Sequence, residues 1–117
     1  MEELSKTQWL EKIGVVSEAF KNTLILETWR QFQKDMYSCG LETAEFKGNF
    51  VDELFDFTFN YIKELDGAKL QDLLYRVDIP ESLFINCSME EGYFEKLTDL
   101  ILNREAMKVF FRSHYRS

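Results

Sequence analysis

A single proline, Pro80, and five glycines punctuate 117 residues. So few chain breakers leave no room for the turns of a many-stranded sandwich or barrel. Between them the apolar residues recur at three and four positions, the spacing of helix faces rather than of strands. With 45% hydrophobic residues, and 11 Phe within the 15% that are aromatic, the chain has material for a buried core and is not of disordered composition. Its length suits one domain that needs neither disulfides nor metal to hold it. The expected fold is all-α, a single-domain bundle over residues 1–117.

The stretch between Gly48 and Gly67 is the most regular. Asn49 is placed to cap its start, and Phe50, Val51, Leu54, Phe57, Tyr61, Ile62 and Leu65 share one broad face. Asp52, Glu53, Asp56, Asn60, Lys63 and Glu64 take the other, with Phe55 and Phe59 at the border. So wide an arc predicts a central helix 49–65 touched by several neighbours, each buried Leu or Phe contributing roughly 1.5–3 kcal/mol.

Four further helices are expected around it, five main helices in all. Ser5 and Gln8 form a capping box, and Trp9, Ile13, Val16 and Phe20 then predict a first helix over 6–21. The apolar phase slips near Asn22 and Thr23, so a turn is expected there; a single bent helix across 6–39 is the alternative. Ile25, Trp29, Phe32 and Met36 predict a second helix over 24–39, with Gly40 as its left-handed terminator. Residues 41–48 read as a connector. Leu70, Leu73, Leu74 and Val77 predict a helix over 68–77, which must stop before Pro80. Pro80 can itself open a one-turn helix to 84. A second capping box at Ser88 and Glu91 starts a long C-terminal helix, 89–113.

That last helix breaks its own pattern. Tyr93, Phe94, Leu97, Leu100 and Ile101 share a face, whereas Leu102, Ala106, Val109 and Phe110 lie roughly opposite. Positions that should continue the first stripe are Arg104 and Lys108, and Arg112 and Arg116 extend the ladder. Either the helix breaks near Asn103, or its second half buries a different side against a different surface, in the same chain or in a second copy.

Charge is distributed as unevenly as hydrophobicity. The net charge is −7, yet residues 104–117 carry one acid against four Lys/Arg, while residues 1–103 carry 20 acids against 10. An acidic chain is a poor general ligand for nucleic acid, which needs cations to neutralise phosphates. No apolar run reaches the roughly 18–20 residues of a membrane span, and the acidic N-terminus lacks the features of a signal peptide. A cytoplasmic protein with no membrane partner and reduced Cys39 and Cys87 is expected.

Chemistry has little to work with. The one histidine, His114, cannot supply the Glu-x-x-His pairs of a di-iron bundle. The carboxylates Asp52, Glu53 and Asp56 read as a hydrated face. Neither cysteine has a metal-binding or activating pattern around it, and no phosphate-binding, dinucleotide or hydrolase signature occurs. No catalytic residue, cofactor or metal is assigned. The aromatic residues are expected to fill the core, with a pocket for a small apolar ligand as the alternative; Phe55 and Phe59, if open to solvent, would mark a partner patch. Arg76, Asp78 and Glu81 read as a structural clasp around Pro80. The functional expectation is a non-catalytic protein-interaction or adaptor module that meets a protein partner or a second copy of itself. Its candidate partner-binding residues are Arg104, Lys108, Val109, Phe110, Arg112 and Arg116.

Overall fold

The computed structural model describes residues 18–48, 51–83 and 91–115. These form four helices, α1 (Glu18–Ser38), α2 (Val51–Lys63), α3 (Gly67–Val77) and α4 (Tyr93–Tyr115), with a 3₁₀ turn at Glu81–Leu83 and no strand among the described residues. The fold is all-α, as expected, with four helices among the described residues against the expected five.

The difference arises at α1. It passes through Asn22 and Thr23 without a turn, so the separation of a first from a second helix there is not observed. Most of the predicted first helix, 6–21, lies outside the described residues. Neither Asn22 nor Thr23 removes a hydrogen bond or demands left-handed geometry, so a slip in apolar phase alone does not end a helix. The buried side chains from residue 23 onward run Leu24, Ile25, Thr28, Trp29, Phe32, Asp35 and Met36, a single stripe that contains the predicted Ile25, Trp29, Phe32 and Met36.

Gly40 ends α1 as predicted. Its φ is +75°, its N–H donates to Tyr37 O at 3.0 Å, and Leu41 N–H donates to Met36 O at 3.0 Å. This pair of bonds is the Schellman arrangement that a left-handed residue permits. The connector 41–48 has no regular structure but is firmly tied. Trp29 Nε1 and Gln33 Nε2 both donate to Ala44 O, at 2.8 and 2.7 Å, and Tyr61 Oη donates to Glu42 O at 2.7 Å. Around Trp29, Phe32, Phe57 and Tyr61 the rings meet edge to face at 5.0–6.1 Å, the arrangement their quadrupoles favour.

Helix α3 matches its expected span closely. Asp66 caps it, with Oδ1 accepting from Lys69 N–H at 2.9 Å, and Leu70, Leu73, Leu74 and Val77 are buried. Its far end repeats the Schellman pattern around Asp78, a non-glycine residue at φ 78°. There Ile79 N–H bonds Leu74 O at 3.0 Å. Asp66→Ala removes the one side-chain acceptor at this N-terminus and should lower unfolding free energy by about 1 kcal/mol in urea titrations. The 3₁₀ turn follows Pro80, whose carbonyl accepts from Leu83 N–H at 2.9 Å.

The centre of the bundle is not where the sequence placed it. On α2, which ends at Lys63 rather than the expected 65, the buried residues among the described side chains are Leu54, Phe55, Thr58 and Ile62. The enclosed helix is α4. Among residues 93–112 only Glu95, Phe111 and Arg112 are exposed, and α4 packs against each of the other three helices, most extensively against α1. It begins at Tyr93 rather than 89, because Glu91 and Gly92 form a turn and Gly92 sits at φ +80°, a conformation that cannot continue a right-handed helix.

Helix α4 also does not break near Asn103. Its buried positions are Leu97, Thr98, Ile101, Leu102, Glu105, Ala106 and Val109. This is one band that drifts by roughly 40° for every four residues, because 3.6 residues complete a turn. The apparent half-turn jump in the apolar pattern is a gradual migration whose middle position is filled by a glutamate.

Candidate functional site

The residues singled out on the C-terminal helix divide sharply. Val109 is buried in the core, and Phe110 is half-buried with its ring 5.9 Å from that of Phe111. Arg104 Nη2 reaches Asp78 Oδ2 at 2.9 Å, tying α4 to the left-handed residue that ends α3. Lys108 Nζ lies 3.0 Å from Asp35 Oδ2 on α1, and Arg112 Nη1 donates to Gln31 Oε1 at 2.7 Å. As the α4 number rises by four, the α1 number falls by four, so the two helices run antiparallel. The basic ladder is thus turned back on its own chain through Arg104, Lys108 and Arg112. Arg116 lies outside the described residues. Arg112 is exposed near the end of α4, and Phe111 stands exposed beside it.

The same contacts uncover a residue that pattern reading missed. Glu105 has no exposed surface. Lys108 Nζ approaches its Oε1 to 3.1 Å, but off the direction of a hydrogen bond, and neither Glu105 oxygen has a hydrogen-bond partner. Burial pushes the Glu105 carboxyl up to about 9; the neighbouring Asp35 carboxyl adds to the rise and Lys108 opposes it. A strongly perturbed acid is a common mark of an active site. Here it is enclosed between helices, where no substrate reaches it. The sequence signal was its setting: Ile101, Leu102 and Val109 lie three and four residues away on the same side of the helix.

Elsewhere, α3 and the end of α1 frame an open cleft of about 430 Å³ lined by Cys39, Asp72, Tyr75 and Arg76. The Cys39 thiol donates weakly to Asp72 O at 3.6 Å. Burial raises its pKa, while Arg76 beside it pulls the other way, so the net shift is away from the reactive thiolate. Arg76 therefore faces Cys39, and Asp78 bonds Arg104. This differs from the expected clasp, because the left-handed turn at Asp78 carries its carboxylate toward α4. Tyr75 is 48% exposed and Tyr37, near the end of α1, is 80% exposed. Cys87 lies outside the described residues, as does the side chain of His114.

The border residues of α2 are not an open patch. Phe55 is buried and stacks on Phe59 at 6.4 Å with 11° between the planes, and Lys63 Nζ covers the Phe59 ring at 4.9 Å. Asp52, Glu53 and Asp56 form the exposed acidic side. Among the described residues no group of three His, Cys, Asp or Glu is placed to hold a metal ion, and no helix is long and apolar enough to cross a membrane. No family model, curated protein or solved structure matches the chain.

Proposed function

We propose that this chain is a non-catalytic protein-interaction module whose partner surface lies on the outer side of α3, around Tyr75 and Arg76. One observation carries the reading: a half-exposed tyrosine and an exposed arginine flank an open cleft of about 430 Å³. Tyrosine and arginine dominate the energetics of protein interfaces, because each combines a large contact area with a directional polar tip. The cleft walls are mainly polar, with the Asp72 carboxylate and the Arg76 guanidinium one turn apart on α3, which suits a peptide or protein surface better than a small apolar ligand. The ionisable groups with the most unusual settings are either enclosed, as Glu105 is, or held away from reactivity, as Cys39 is. That distribution favours recognition over turnover.

The C-terminal helix contributes less to this surface than its sequence suggested, since Lys108 and Val109 face inward. Photo-crosslinking from a benzoylphenylalanine at position 75, in the source cell and in purified protein, identifies a partner or a second copy. Tyr75→Ala with Arg76→Ala should abolish that complex and leave the far-ultraviolet helical signal unchanged. Retention of the complex in this variant, with its loss in Phe111→Asp, would move the surface to the end of α4.

A further inference from the structure

We propose that Asp35, Glu105 and Lys108 form a proton-gated latch between α1 and α4, closed while the enclosed Glu105 carboxyl keeps its proton and opened when that proton leaves. The geometry requires such a proton. Two carboxyl groups and one ammonium converge on Lys108 Nζ at 3.0 and 3.1 Å, with Glu105 wholly enclosed and the Asp35 side chain only 10% exposed. Two carboxylates against one ammonium would leave a net negative charge buried, with the Glu105 oxygens making no hydrogen bond, an arrangement that a low-dielectric interior penalises heavily. With a proton on Glu105 the group balances to zero, and its hydroxyl donates to the adjacent Asp35 carboxylate, which Lys108 bonds from the other side.

Among the described residues no second counter-charge is supplied. Asp35 is the charged group that α1 turns toward Glu105, and Lys108 the one on α4 itself. The neighbouring cations are occupied one turn away, Arg104 by Asp78 at the end of α3 and Arg112 by the neutral Gln31 of α1. Helix α2 adds no charged group to the balance at Glu105. When Glu105 ionises, no described group replaces the lost proton, and the helix pair is relieved by admitting water.

The direction of the effect is fixed. In the unfolded chain the Glu105 carboxyl titrates near 4.5, and in the folded protein near 9. Between those values the native state holds one more proton than the unfolded state, so stability from this group is greatest below about 4.5 and declines as pH rises to about 9. Each unit in that window should reduce the folding equilibrium constant about tenfold.

The test has two readouts on the full chain. Urea midpoints measured from pH 6 to 9.5 should fall steadily for the natural sequence and stay nearly level for Glu105→Gln, which keeps the shape and the donor but has no proton to lose. Carboxyl ¹³C NMR of glutamate-labelled protein should show one side-chain resonance still in the protonated position at pH 7. A Glu105→Gln profile that keeps the natural slope overturns the latch. So does a spectrum in which every glutamate is ionised at pH 7, and that spectrum decides the matter even if the variant fails to fold.

Discussion

Lys108→Met should lower unfolding free energy by about 3–5 kcal/mol at neutral pH. The estimate is the cost of removing one member of a buried ionic group and stranding the others. Lys108 is 21% exposed and Asp35 10%, so neither ion is screened well by water, and methionine retains the aliphatic stem without the ammonium. The loss should shrink when Asp35→Asn is added, because the stranded carboxylate then disappears. A double-mutant cycle in urea isolates this coupling, which should exceed about 1 kcal/mol. Simple additivity of the two substitutions would mean that the 3.0 Å contact carries no net energy. An exposed pair such as Arg104 with Asp78 offers the contrast, since solvent-screened ion pairs contribute about 0–1 kcal/mol.

Phe32→Ala should be comparably severe, at about 3–5 kcal/mol, for an unrelated reason. The side chain has no exposed surface and lies between the rings of Trp29 at 5.4 Å and Tyr61 at 6.1 Å. Truncation leaves a cavity bounded by Trp29 and Tyr61, whose polar tips are committed to the 41–48 segment, so the walls cannot close on it freely. Domains of this size are stable by about 5–15 kcal/mol, and the urea midpoint should fall by a large fraction without a change in slope. Unlike Lys108→Met, this loss should be the same at every pH from 6 to 9.5. That difference separates a packing defect from a charge defect in one set of titrations.

Which features could be read from the sequence depended on whether the cause was local. Gly40 and the span of α3 were legible because a left-handed residue and an intact Leu70, Leu73, Leu74, Val77 stripe act within a few residues. The continuity of α1 through Asn22 and Thr23 was not, because a slip in apolar phase changes which side is oily without breaking a backbone hydrogen bond. The rank of the helices was not legible either. A broad apolar arc on α2 says that many faces are oily, not that neighbours cover them all, and it is α4 that is covered. Glu105 was the largest omission. A glutamate reads as a solvent residue until its partners on another helix are known, and Asp35 lies seventy positions away in sequence. The same distance explains the misread ladder: Arg104, Lys108 and Arg112 lacked visible acceptors only because Asp78, Asp35 and Gln31 belong to other segments.

That the most enclosed helix is the last of the four has a consequence for biosynthesis. Leu24, Ile25, Trp29, Phe32 and Met36 leave the ribosome long before α4, the element that packs most extensively on α1. At ~5–20 residues per second, the nascent chain carries this oily flank bare for on the order of ten seconds. During that interval the chain depends on holding factors or on provisional collapse with α2 and α3, and translation arrest before Tyr93 would release an aggregation-prone fragment.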